Sequence, residues 1–473
     1  MQAIIQGFLD LGTQVALPLI MIVLGLIIGM KPGKAIGAGL LLGVAFQGMF
    51  ILFGFAFPAL QGAGQAMVMR TGREFIAYDL GWTVASVISW AWPYAFFMFP
   101  LQIAINIVML AMGWTKCLNV DMWNVWHKAT LGAFTTALLK GSLGDSTALA
   151  IGFVVAAVWV VLELFSADLT REQVYNLTKI PGIAVSHNML LDAFWMGPLL
   201  DLIERIPGIN NIHTSPADLR KKLGLFGENY ILGALLGLLF GVLAGYDFKG
   251  IAGLMINGAA IITLFPLMAG LFARALAPVA EGAQEFMQKR FPGRSFYVGL
   301  DWPVLGGVDA LWVTGILVAP FLLLWAFILP PSINTTLPFG SIIAVSLIAT
   351  TTVLTQGDIV KSTLLSVIAA PVYLKAASFF APYLTDLAKQ TGALEVPAGY
   401  QQITWLETNA AGMRLMVFAV LDMLNGNIVL GAISAVVLVA CGAYWFKSMK
   451  RRENAAAAAS GGISGNPKPY PNA

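Results

Sequence analysis

Apolar runs long enough to cross a bilayer recur from one end of this 473-residue chain to the other, and no other feature constrains its fold as strongly. A hydrocarbon core of ~30 Å takes about 20 apolar residues of helix, and within it every backbone N–H and C=O must be satisfied by the protein itself. Hydrophobic residues make up 58% of the chain and charged residues 11%, against roughly a quarter charged in ordinary soluble domains. The chain therefore reads as an all-α polytopic membrane protein, not a soluble domain with an anchor. Candidate spans lie near 15–30, 35–57, 93–114, 129–139 and 147–166, then near 230–245, 251–273, 307–329, 341–354, 363–382 and 425–446. The start, "MQAIIQGFLDLG", has neither a basic n-region nor a small-residue cleavage site, so the first helix reads as retained.

Lys and Arg orient this set of spans. The tail opens with Lys447, Lys450, Arg451 and Arg452 and is expected in the cytoplasm. Counting back places the loop 205–229 and the segment 274–294, with Arg274, Lys289, Arg290 and Arg294, on the same side, and the N-terminus outside. The acidic stretch 383–407, with Asp386, Glu395 and Glu407, also falls outside. Two halves line up. "YDLGWTVASVISWAWP" at 78–93 corresponds to "GLDWPVLGGVDALWV" at 299–313, and a short apolar segment at 183–204 to one near 411–421. Five spans per half is odd, so the second copy is inverted, as in many transporters with a site at the midplane. The division is a first half at 1–204, a loop at 205–229, a second half at 230–424, a last helix at 425–446 and a tail at 447–473.

Function is sought in the few polar residues placed where they are costly, since a charge at the bilayer centre costs about 2.5–3.5 kcal/mol even on lenient scales. Asp79 and Asp301 occupy matching points of the two halves, and Asp309 follows in a Gly-rich segment; each either faces a cavity or caps a broken helix. His213 belongs to a solvated loop. His127 sits where a span begins, either in an aromatic belt with Trp123 and Trp126 or at a site. His187 and Asn188 stand together in "IAVSHNMLLDAFWMGPLLD". If that segment re-enters the membrane, they offer donors and acceptors to a hydroxyl-rich ligand; Asp192 and Asp201 then mark its return to water. Thr351 is a further candidate contact, although a membrane Thr commonly bonds its own helix. "LPPSINTTLPFG" at 329–340 reads as an ordered turn. Cys117 and Cys441 form no CxxC pair, and there is no Walker loop, HExxH or nucleophile elbow. No metal, cofactor, nucleic acid or ATP-driven step is expected.

Together, "VALPLIMIVLGLIIGMKPGKAIGAGLLLGV", "YDLGW", "NVDMWNVWH", "MGPLLDLIERIPGINNI", "LGLFGE", "GVLAGYDFKG", "GLDWP" and "LPFG" resemble the membrane-embedded IIC subunit of the galactitol family in the bacterial phosphotransferase system. The resemblance implies about eleven transmembrane helices with two re-entrant hairpins in the inner membrane, a homodimer, and a scaffold carrying a mobile, elevator-type core. It implies a polyol or sugar substrate, with separate IIA and IIB partners; IIB would dock on loops 205–229 and 274–294. His187 and Asn188 match the polar tip of the first hairpin, His127 matches a histidine near it, and the acidic position falls on Asp301 or Asp309. His187, Asp301 and Asp309 are thus the catalytic candidates, and His127, Asn188, Asp79 and Thr351 join them in substrate binding. The rival reading is an ion-coupled secondary transporter of a small polar solute.

Overall fold

The computed structural model describes residues 13–290 and 296–459, a few helix side chains excepted. The N-terminal placement, Arg294 and the tail beyond 459 lie outside the described residues. The chain runs α1 (Thr13–Ile27), α2 (Pro32–Thr71), β1 (Ala77–Asp79), α3 (Gly81–Trp90), α4 (Met98–Met112), β2 (Cys117–Asn119), α5 (Trp126–Leu143), α6 (Asp145–Thr178), β3 (Ile183–Val185), a 3-10 turn at Asn188–Asp192 and α7 (Ala193–Ile203). The loop helix α8 (Pro216–Leu223) leads to α9 (Asn229–Ala244), α10 (Phe248–Arg290), β4 (Tyr297–Leu300), a 3-10 turn at Trp302–Gly307, α11 (Asp309–Ile328), β5 (Thr336–Leu337), α12 (Val345–Thr355), α13 (Ile359–Thr391), β6 (Gln402–Thr404), α14 (Ala411–Leu421) and α15 (Ile428–Ala459). Among the described residues six helices are long and apolar enough to cross a membrane, including α6, α11 and α13, and α9 and α12 are shorter apolar helices.

Two long helix pairs, α1 with α2 and α9 with α10, flank the rest. Pro32 opens α2, where its missing N–H costs nothing, and Gly72 closes it at φ 66°, a conformation that suits glycine. Small residues let α9 and α10 touch backbone to backbone. A Cβ on Gly237 would run into the Leu254 carbonyl, and one on Gly258 into the Gly233 carbonyl. The last carbonyls of α9 lack helical partners, and Arg70 at the end of α2 supplies them, Nη1 donating to Val242 O at 3.0 Å and Leu243 O at 2.9 Å. Arg73 does the same for α11, donating to Phe327 O at 2.6 Å and Leu329 O at 2.5 Å.

Among the described residues six short strands interrupt the helices. They form two parallel three-stranded sheets, in the orders β5-β1-β6 and β2-β4-β3. Strand starts at 77, 117 and 183 recur at 297, 336 and 402, in the same order between the same kinds of helix. Each sheet takes its central strand from one of these series and both outer strands from the other. The "LPPSINTTLPFG" turn contributes β5, and Thr336 is buried within it. The 3-10 turn after β3 and helix α7 fill the stretch expected to form a first hairpin, and α14 covers 411–421.

Three carboxylates depart from the sequence reading. Asp192 and Asp201, expected to meet water, are 0% and 9% exposed. Asp201 is covered by the last helix, accepting from Tyr444 Oη at 2.7 Å, Ser448 Oγ at 2.8 Å and Arg451 Nη2 at 2.9 Å, with Arg452 also against it. Glu407, assigned to an acidic outer stretch, is 5% exposed, because β6 threads its segment into the interior beside β1.

Candidate functional site

Parallel strands end on the same side of their sheet, and polar residues emerge at those ends. Val185 of β3 is followed two residues later by His187, Leu300 of β4 by Asp301, Asn119 of β2 two residues later by Asp121, and Thr404 of β6 three residues later by Glu407. His187, Asp301 and Glu407 line one cleft, with His127, Asn124 and Asn409. Trp82, Trp123, Trp126 and Trp302 supply flat apolar walls. The cleft is closed on one side by Phe46 of α2 and Phe272 of α10, edge to face at 4.7 Å between ring centroids.

Local geometry fixes how the two histidines share protons. His187 leaves β3 in an extended conformation and caps the following 3-10 turn, its Nδ1 accepting the Met189 N–H at 3.1 Å. That lone pair is used, so a neutral His187 carries its proton on Nε2. The other nitrogen faces His127 Nε2 at 3.3 Å, with the rings perpendicular at 87°. His127 Nε2 also receives Asn409 Nδ2 at 3.1 Å. His127 is therefore the acceptor of the pair and carries its proton on Nδ1, which has no partner among the described residues. Trp126 packs against the His127 ring at 3.7 Å between centroids. Both histidines are at most 3% exposed.

The carboxylates are held by helix and turn N-termini, where unpaired N–H groups favour an anion. Asp301 Oδ1 accepts from Trp302 N at 2.6 Å; Asp121 lies near enough for their charges to repel, with Asn124 between them. Glu407 takes backbone hydrogen bonds from Val345 and Ser346 at the start of α12, while its Oε1 has no partner. Asn409 sits at φ 43° and Ala410 at φ 55°, left-handed values rare for residues with a Cβ. Ser346 Oγ holds the Asn409 amide oxygen, which turns its nitrogen toward His127.

Behind this wall lies a second buried polar layer. The Lys128 ammonium is paired with Glu163, and the Arg414 guanidinium sits over Trp159 at 5.8 Å. Asp192 Oδ1 accepts from Trp195 Nε1 at 2.8 Å and from Gly412 N and Met413 N at 3.2 Å each, joining the first short segment to the start of α14.

Of the residues singled out from sequence, the structure gathers His127, His187 and Asp301 at this cleft. Asn188 is buried next to His187, with neither amide atom bonded, but does not line the cleft. Asp79 serves the neighbouring sheet, accepting from Gly81 N at 3.1 Å, Ser341 Oγ at 3.2 Å and Leu406 N at 3.3 Å. Thr351 bonds Ile348 O at 3.0 Å and Ser366 Oγ at 2.8 Å between helices. Asp309, 46% exposed, meets Arg220 of the loop helix at 3.6 Å. Glu407, Asn409 and Asn124 were not singled out. The signal that could have found Glu407 and Asp121 is a short strand-forming triplet followed within three residues by an acid, as in "QITWLE" and "CLNVD".

Residues 7–399 match the family model EIIC-GAT, described as the sugar-specific permease component of the PTS system. A permease IIC component of Escherichia coli (strain K12) is 34% identical over 433 residues, covering 91% of this chain and 97% of that protein. The PTS system galactitol-specific EIIC component of the same strain is 33% identical over 417 residues, covering 85% of this chain and 89% of that protein.

Proposed function

We propose, since this chain belongs to the EIIC-GAT family of phosphotransferase sugar-specific permease components, that it binds a polyol in the cleft between His127, His187, Asp301 and Glu407 and carries it across the bacterial inner membrane for phosphorylation. The His127–His187 contact carries the reading. A hydroxyl entering the aromatic-walled cleft between the two imidazoles would accept from His187 Nε2–H and donate to the His127 Nε2 lone pair, groups that serve each other in its absence, and the carboxyl groups of Asp301 and Glu407 stand on the same wall. The galactitol-specific relative supports a hexitol as substrate.

The architecture that goes with it is eleven membrane helices in two inverted halves, with re-entrant hairpins at 183–204 and 411–421. Recurrence of the strand and helix order supports the halves. The long pairs α1–α2 and α9–α10 form the scaffold of a homodimer, and the elements carrying the cleft move against Phe46 and Phe272 in an elevator step. The tail, the basic loop 205–229 and the basic segment 274–294, most of which is the end of α10, face the cytoplasm, where a separate IIB protein, recharged by IIA, docks. There the substrate hydroxyl oxygen attacks the phosphorus of a phosphocysteine on IIB, the P–S bond breaks and the thiolate leaves. The substrate hydroxyl enters between the two imidazoles and displaces the present donors from the His127 Nε2 lone pair; its proton passes to that lone pair, while the freed His187 Nε2–H orients the attacking oxygen. Asp301 holds neighbouring hydroxyls.

Membrane vesicles test this reading. Galactitol uptake that requires phosphoenolpyruvate, IIA and IIB, and that yields phosphorylated product, is the expected result; uptake driven by an ion gradient alone would establish secondary transport instead. His187→Ala should abolish both uptake and phosphorylation. Retention of both would remove His187 from the site.

A further inference from the structure

We infer that the loop helix α8 and the turn Gly224–Gly227 after it anchor the loop to the membrane surface, Leu225 and Phe226 entering the acyl boundary while Lys221 and Lys222 bind the headgroups of anionic phospholipids; nothing in this depends on what the cleft binds. Leu225 and Phe226 are 59% and 61% exposed, and Tyr230, in the first turn of α9, is 44% exposed. The turn cannot leave the membrane. Only Glu228 separates it from α9, so Phe226, three residues before Asn229, stays within about 10 Å of the helix start. α9 itself has 16 residues, about 24 Å of helix against a hydrocarbon core of ~30 Å. A span that short draws apolar flanking residues toward the bilayer: Phe248 beyond its far end, 87% exposed, and Leu225 and Phe226 before its start.

The charge on the loop points the same way. Arg220, Lys221 and Lys222 fill the last turn of α8, where the helix end favours cations. Arg220 is held by Asp309, whereas Lys221 and Lys222 are exposed and form no ion pair among the described residues. The nearby acids are engaged: Asp218 closes the capping box with Ser215, and Glu228 precedes the α9 N-terminus, whose unpaired N–H groups favour an anion. Helix and turn form one block, because Gly227 packs so closely that a Cβ on it would lie 2.7 Å from Arg220 Cα. Each lysine stands four residues before an exposed apolar side chain, the composition of an interfacial segment on anionic lipid. A protein partner would have to cover Leu225 and Phe226 as well, where α9 already enters the bilayer.

Lipid quenching in the reconstituted full-length chain tests the assignment. A bimane label at Phe226→Cys, in a Cys441→Ser background that leaves only the fully buried Cys117, is placed in phosphatidylcholine vesicles holding about 30% phosphatidylglycerol, with a nitroxide on the acyl chain of one lipid or the other. Nitroxide phosphatidylglycerol should quench more than about twofold better than the phosphatidylcholine form, since one basic residue at an anionic surface is worth roughly fivefold. Lys221→Gln with Lys222→Gln should bring the two lipids to parity, and so should about 0.5 M salt acting on the unaltered lysines, while quenching itself persists because Leu225 and α9 hold the turn at the bilayer. A label at Leu225→Cys should repeat the pattern. A label quenched by neither lipid, whether it stays in water or is shielded only when IIB is added, overturns the anchor. A preference below about twofold, or one that survives the double substitution, overturns the headgroup site.

Discussion

Removing the Asp192 carboxylate should detach the two short polar segments from each other. One oxygen, Oδ1, accepts from Trp195 Nε1 at 2.8 Å and from Gly412 N and Met413 N at 3.2 Å each, at 0% exposure. Leaving a buried donor unsatisfied costs about 1–3 kcal/mol, so Asp192→Ala strands three donors for a loss of at least about 3 kcal/mol. Asp192→Asn keeps an acceptor in place and loses only the charge assistance and its favourable position at the α14 N-terminus, about 1 kcal/mol. Unfolding of a polytopic membrane protein is read as an apparent melting temperature at fixed scan rate, since it is seldom reversible. In detergent, Asp192→Ala should melt on the order of 5 °C below wild type or fail to elute as one species, and Asp192→Asn should fall well short of that loss. Asn409 lies one residue before the α14 N-terminal cap, so Asp192→Ala should also weaken binding of the polyol proposed for the cleft. An alanine variant that melts within about 1 °C of wild type, or an asparagine variant as damaged as alanine, would refute the capping argument.

Gly237→Ala should push α9 from α10, because the new methyl meets the Leu254 carbonyl; overpacking of this kind costs about 1–3 kcal/mol, visible as a lower melting temperature. Lys128→Met takes from buried Glu163 its paired ammonium, a loss of up to about 3–5 kcal/mol, whereas the double variant with Glu163→Leu should recover most of it; a double variant no more stable than Lys128→Met would contradict the pairing. In the exposed loop helix α8, the Ser215 hydroxyl and N–H hold the Asp218 carboxyl below the usual carboxylate range. Its folded pKa is lowered, so its contribution is present above the unfolded value and lost as pH falls through the folded one. A spin label at Lys222→Cys should accordingly be more mobile in Asp218→Asn than in the parent at pH 7 and equally mobile in both once Asp218 is protonated.

Hydropathy made the long helices and the segments at 183–204 and 411–421 legible, because span length and a weak apolar segment are local properties. The strands were not. A run of two to four residues, such as Thr336–Leu337, is too short to show alternation, and β3 is buried on all three residues. Once those strands are missed, the residues at their ends are misplaced too. Glu407 shares its stretch with Asp386 and Glu395, and charge alone sends the group to water; only the pairing of Gln402–Thr404 with Ala77–Asp79 carries Glu407 inward. Asp301 and Asp309 were indistinguishable from sequence. The 3-10 turn at Trp302–Gly307 separates them, leaving one on the cleft wall and the other paired with Arg220. His127 and His187 stood out because polar groups are costly among apolar neighbours, but their Nε2–Nε2 contact depends on β3 ending where α5 begins.

The interlaced sheets set an order of events for the newborn chain. β2 and β3 leave the ribosome with no strand between them, since their shared neighbour, Tyr297–Leu300, is synthesised more than a hundred residues after Val185. At about 5–20 residues per second, the first half must wait on the order of ten seconds beside the insertion machinery with open strand edges and no floor to its cleft. β1 waits longer still, for partners at 336 and 402. Premature termination anywhere before β4 thus yields no partial transporter, only a bundle of inserted helices with exposed polar backbone, a substrate for membrane proteolysis.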